Sequence, residues 1–275
     1  MFFLPFGDSH TFFWGNQTRF PGPSCAAMVQ NMYWLGPAKA YGLTLPTKNY
    51  TRENYLRIKP LLEQSDQIPI ACFGEIDVRV NCAKEFIFHG GTDHISNLVN
   101  AYLSEIATIK NPNILVWGPP PSAPDDGLFA TEYPAYGDNQ TRNYVTHCFN
   151  QEIIKRIGHY SNLRFLTMFY DLINPDLTTK TKVLADGCHL SVAFHDQAIN
   201  FAKQMIERNH KIMLNSIGYQ SIRKYRRVFR SVAKWDKTPF INYYKKPVGD
   251  LLHYFSHTPF FDSSEEITCA GIEIL

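Results

Sequence analysis

At 275 residues, with 44% apolar and 19% charged, the chain is long enough to bury the core of one sizeable domain with length to spare. A formal net charge of +2 supplies no global field for nucleic acid, and no apolar run reaches the roughly 18 residues a membrane span needs. The six cysteines, at 25, 72, 82, 148, 188 and 269, form no C-x-x-C pair and no zinc spacing, so no metal and no tightly bound cofactor is expected. Sequons opened by Asn16, Asn49 and Asn139 are close to what chance gives in an Asn-rich chain.

The first element is an apolar run, Phe2 to Phe6, that stops at Gly7-Asp8-Ser9. A buried parallel strand delivers a side chain to the carboxyl edge of an α/β sheet in this way. Gly7 permits a sharp turn, Asp8 can cap it, and Ser9 is presented where the next helix begins, which makes Ser9 a candidate nucleophile. The alternative reading is a turn with a capping serine. Because Ser9 lies so close to Met1, a cleaved leader would remove this strand, and the expected compartment is the cytoplasm.

Segment 10–34 is rich in aromatics and Pro-Gly turns, and Cys25 to Trp34 has a helical pattern. Gly36 and Gly42 follow, each able to serve as a turn. Thr51 to Gln64 reads as a polar helix interrupted by Pro60, and Ile68 to Phe73 as a second core strand. Beyond it, Glu75, Asp77 and Arg79 alternate along what reads as extended chain. They form either an ion-paired strand end or a source of positive charge facing a pocket.

Thr92 opens a helix in which Ile95, Leu98, Val99, Tyr102, Leu103 and Ile106 recur at helical spacing. Asn113 to Trp117 is a third core strand, and Gly118 followed by three prolines forces an extended loop at the edge that carries Ser9. Residues 119–138 read as a long irregular loop, of a length usually reserved for covering a site. Arg142 to Ile157 is helical, and Leu163 to Phe169 is a further strand leading to Tyr170-Asp171.

Asp186-Gly187-Cys188-His189-Leu190-Ser191 then precedes an amphipathic helix, with Ser191 as its N-cap and Ala198, Ala202, Met205 and Ile206 facing inward. A serine nucleophile needs a base, and the base needs a carboxylate to fix its tautomer. Asp186 and His189, three residues apart, supply both. His195 competes for the role of base but has no aspartate at the matching offset, and reads as a surface or supporting histidine.

Gly7-Asp8-Ser9 near the start, with Asp186-x-x-His189 near the end of a domain, resembles the SGNH (GDSL-type) hydrolases over roughly residues 1–210. The resemblance implies a three-layer α/β fold, a parallel sheet with helices on both faces, and Ser9, His189 and Asp186 as nucleophile, base and orienting carboxylate. It also implies an oxyanion hole, for which Gly36 is the expected backbone donor and Gly42 its competitor. The family's third block places an asparagine where this chain has Ile76, which cannot donate. Arg79, flanked by Glu75 and Asp77, is the candidate replacement.

Residues 211–275 change character: Arg223, Lys224, Arg226, Arg227 and Arg230 crowd one segment, and Tyr243, Tyr244, His253, Tyr254, Phe255, Phe260 and Phe261 follow. A basic extension docked on the core is one reading. A phosphate-binding patch for a nucleotide-like ligand is the other, because guanidinium groups grip phosphate bidentately. The expectation is a serine-dependent acyltransferase, moving an acetyl-like group from acyl-CoA as co-substrate to a carbohydrate hydroxyl or amine. A carbohydrate O-acyl esterase is the first alternative, and a non-catalytic carbohydrate-binding module the second. The oligomeric state is not legible.

Overall fold

The computed structural model describes residues 1–14, 32–45, 49–124, 129–130, 133–185, 188–223, 243–244 and 272–274. Nine strands are formed among them. They are β1 (Phe3–Gly7), β2 (Met32–Trp34), β3 (Ile68–Cys72), β4 (Ile114–Trp117), β5 (Phe129–Ala130), β6 (Leu163–Leu166), β7 (Ile212–Met213), β8 (Tyr243–Tyr244) and β9 (Ile272–Ile274). Seven join one sheet in the order β7-β6-β4-β3-β1-β2-β9, and every pairing is parallel. The pair β5–β8 stands apart.

Each central strand is apolar on both sides, as a sheet covered on both faces requires. From β1, Leu4 and Phe6 enter one core together with Ala71, Val116 and Phe165. Phe3 enters the other, together with Ile70, Cys72, Leu115 and Trp117. The first core is closed by helices α2 (Ala40–Thr44), α3 (Tyr50–Gln64), α4 (Ala83–His89), α5 (Asp93–Ala107) and α6 (Asn139–Arg156). The second is closed by α1 (Thr11–Trp14) and α8 (His195–Glu207). Two short helices, α7 (Phe169–Leu172) and α9 (Ser216–Arg223), share a satellite cluster around Phe169, Tyr170 and Ile222. Among the described residues no helix is long and apolar enough to cross a membrane.

The order β2-β1-β3-β4 places the site. The chain leaves β1 for β2 on one side, then returns to β3 on the other, so the connections diverge at the carboxyl end of β1. Open α/β sheets bind their ligands at such a switch point. Ser9 is two residues past the end of β1.

Several local expectations are corrected. Met32–Trp34 is a strand rather than the end of a helix: Tyr33 and Trp34 pair with Phe6 and Gly7, and this pairing overrides the apolar spacing. Residues 25–31 lie outside the described residues. Helix α3 runs unbroken through Pro60. Pro60 and Leu56, whose carbonyl loses its helical donor one turn earlier, are both exposed, so the missing bond falls on the solvent side of the helix. The strand after Asn162 ends at Leu166, and Phe169–Leu172 turns helical. The sheet also continues past residue 210, because β7 pairs with β6.

Candidate active site

Gly7 makes the first turn possible. Its φ is +140°, and a Cβ there would fall 2.0 Å from the Cys72 carbonyl oxygen of the neighbouring strand, so only glycine fits. Asp8 follows, almost fully buried, with its Oδ1 accepting the His10 backbone N–H at 2.9 Å. Its carbonyl accepts the Thr11 hydroxyl and N–H, closing the entry to α1. Burial pushes the Asp8 carboxyl up to about 6, against the opposing pull of His10 and the bond from its N–H.

Ser9 is thereby held at the sheet edge, and His189 meets it. The His189 Nε2 lies 2.7 Å from Ser9 Oγ, across 180 residues of sequence. With Nε2 unprotonated, the serine hydroxyl donates to it, the geometry of a nucleophile and its base. His189 is presented by a tight loop: Leu184 and Leu190 form an antiparallel bridge, and the Ala185 N–H donates to the His189 carbonyl at 2.7 Å. Both leucines pack into the second core, which fixes the loop's base. Asp186 lies outside the described residues.

Gly36 stands two residues past the end of β2. The Leu35 N–H donates to the Gly7 carbonyl at 2.8 Å, which carries the backbone of Gly36 alongside the turn that holds Ser9. Gly36 has φ +78°, and a Cβ there would strike the Tyr50 ring. Gly42 instead sits inside α2, where its N–H donates to the Lys39 carbonyl at 3.0 Å.

Glu75, Asp77 and Arg79 do not alternate along an extended chain. The backbone turns helical at Glu75 and continues as a π-helical segment, Asp77–Cys82, a rare form that recurs at functional sites. One helical turn brings Glu75 and Arg79 to the same side. Arg79 Nε donates to Glu75 Oε1 at 2.7 Å and its Nη2 to Oε2 at 3.1 Å, while Nη1 donates to the Tyr133 carbonyl. Both side chains are buried. Burial alone would raise the Glu75 carboxyl, but the Arg79 charge and the neighbouring His10 hold it well below the usual carboxylate range. Burial would lower the Arg79 guanidinium, and Glu75 and Cys188 outweigh that and raise it. Asp77 points elsewhere: its carboxylate accepts the N–H groups of Ala40 at 2.7 Å and Tyr41 at 3.0 Å. It is the cap of α2, supplied from 37 residues away. Burial pushes its carboxyl up to about 6, although these two N–H groups pull it down.

Two residues absent from the sequence reading of the site crowd this corner. The His10 ring lies 5.2 Å from that of His189, its Nε2 is 3.9 Å from Glu75 Oε2, and Cys188 completes a group with Glu75 and His10. Arg142, fully buried on α6, was also absent from that reading, and it serves the loop after β4. It donates to the Ser122 hydroxyl at 2.8 Å and to the carbonyls of Ala123 and Gly137. With Asn139 and Asn143 it pins the loop after Pro119-Pro120-Pro121 against α6. The periodicity of α6 conceals this face, because it is polar and buried. Ile76 is buried and donates no side-chain hydrogen bond.

His195 is not at the surface. It is buried under α1, where its Nε2 lies 3.0 Å from the Trp14 carbonyl and its ring meets Phe13 edge-on. A short α1 leaves its last carbonyl in need of a donor, and His195 fills that place. Arg223 ends α9 but its side chain lies outside the described residues, as do Lys224, Arg226, Arg227 and Arg230. No family model, curated protein or solved structure matches the chain.

Proposed function

We propose that this protein is a serine-dependent acyl-transfer enzyme of the SGNH type, with Ser9 as nucleophile and His189 as general base. The observation that carries the reading is the 2.7 Å contact between Ser9 Oγ and His189 Nε2 at the switch point of a parallel sheet. Ser9 Oγ attacks the acyl carbonyl while its proton passes to His189 Nε2. The oxyanion develops against the backbone N–H groups of Ser9 and Gly36. Collapse expels the thiolate or alkoxide, which takes the proton back from His189. The acceptor then attacks acyl-Ser9, its proton passes to His189, and the serine oxygen leaves and is reprotonated from there. Asp186 holds the His189 tautomer.

The acyl donor in this reading is a thioester such as acetyl-CoA, and the acceptor a sugar hydroxyl or amine. What supports transfer is Ile76: the usual side-chain donor to the oxyanion, worth about 3 kcal/mol, is missing, so a poorer electrophile than a thioester is disfavoured. Hydrolysis of carbohydrate O-acyl esters is the second reading. The preformed serine–histidine contact favours it, because water suffices to complete the cycle. The protein is incubated with acetyl-CoA and a panel of amino sugars, sugars and nucleotide sugars, and thiol release is followed. Thiol release that depends on the acceptor supports transfer. Deacetylation of acetylated sugars without thiol release supports the esterase. Tight sugar binding with neither activity would leave only a binding module.

A further inference from the structure

Beside the reacting pair, the residues that follow Ser9 and precede His189 in the chain converge with a residue from the turn after β3. One ligand atom each from His10, Glu75 and Cys188 lie within 4.8 Å of one another. We propose that His10, Glu75 and Cys188 form a thiolate–imidazole–carboxylate site for a divalent transition ion of the zinc class.

The donor set selects the ion. A thiolate and an imidazole are soft and borderline ligands that suit zinc and its neighbours and discriminate against magnesium and calcium. In a tetrahedral zinc site the bonds of about 2.0–2.3 Å put ligand atoms about 3.3–3.8 Å apart. The His10 Nε2–Glu75 Oε2 pair already stands at 3.9 Å, so closing the site takes a contraction of only about 1 Å. His10 and Glu75 are buried and positioned before the ion arrives, and the half-buried Cys188 leaves a way in.

Arg79 takes one acceptor position on each Glu75 oxygen. A carboxylate offers about four lone-pair positions, so about one on each oxygen stays open to a metal, and Arg79 is the partner that orients the ligand. Binding displaces the Cys188 proton to solvent, so the thiolate and Glu75 set two negative charges against the ion and Arg79. Three protein ligands leave a coordination position open, as in sites that take water or a substrate atom. The ligand spacing, 10, 75 and 188, matches no linear motif; only the fold assembles it.

The test titrates the metal-free protein with Co(II). One equivalent is expected to produce a thiolate-to-cobalt charge-transfer band in the near ultraviolet. Cys188→Ser is expected to abolish the band, and His10→Gln to weaken apparent affinity at least tenfold. Because a variant can lose its fold, the wild-type protein supplies a second readout. Zn(II) should slow alkylation of Cys188 by iodoacetamide at least tenfold, read by peptide mass spectrometry, and a chelator should restore the rate. A band of full amplitude in Cys188→Ser, no band in the wild type, or an unchanged alkylation rate in excess Zn(II) would overturn the site. Neither readout uses turnover, so the site and the acyl-transfer reading fail or stand separately.

Discussion

Replacing Arg79 with methionine gives the sharpest structural prediction. The guanidinium makes a two-pronged bond to Glu75 at 2.7 and 3.1 Å, and both side chains are only 7% exposed. Removing one partner of such a pair strands the other charge in the interior, which costs about 3–5 kcal/mol. For a domain of this size that is a fall in Tm of about 10 °C. The loss depends on pH. In the wild type Glu75 sits well below its unfolded value, so it contributes stability above about pH 4.5 that is lost as pH falls. Without Arg79, burial dominates and raises Glu75 above its unfolded value, so the variant becomes less stable as pH rises. The gap between the two proteins must therefore widen from pH 4 to pH 7. Urea denaturation with a chelator present, at both pH values, measures it. Glu75→Gln added to Arg79→Met removes the stranded charge and should recover at least half the loss. A single variant within about 1 kcal/mol of wild type at pH 7, or a gap that does not change with pH, would refute the reasoning.

Gly7→Ala places a Cβ 2.0 Å from the Cys72 carbonyl oxygen, and loss of soluble protein or at least about 3 kcal/mol of stability is expected by denaturation. Arg142→Met leaves a hydroxyl and two carbonyls without their charged donor; a loss of about 3–5 kcal/mol is expected, with faster proteolysis near Pro119–Ala123. Asp8 and Asp77 are each raised to about 6, so the folded state keeps protons that the unfolded chain releases, and stability should fall as pH rises from about 4 to 6. Asp77→Asn should flatten that fall by about 3 kcal/mol, measured as the difference in unfolding free energy across the window. A slope unchanged in the variant would assign the titration elsewhere.

The strands that carry the site were legible because they are short and apolar, with a glycine at the end or within two residues after it: Phe3–Gly7, Ile68–Cys72 and Ile114–Trp117 all form as their composition requires. Ser9 and His189 were legible as types with a need for each other. The turn after β3 was not. Glu75, Asp77 and Arg79 fit an alternating strand and a helix alike, because a short polar run carries no decisive period, and the tertiary bonds of Asp77 to α2 settle it. Met32–Trp34 hid inside a helix-like pattern for the same reason: three residues are too few to show a period of two. His10 and Cys188 went unread as site residues because each stands beside a stronger candidate in the chain, and their partner is Glu75, far from both.

The central claim is that Ser9 carries the acyl group. The most direct measurement is intact-mass analysis after mixing the protein with an acyl thioester or an activated ester, followed by peptide mapping. A single acyl adduct on Ser9 is predicted, absent from Ser9→Ala and formed at least about a thousandfold more slowly in His189→Asn. An adduct on another residue, or acylation at an unchanged rate without His189, would contradict it.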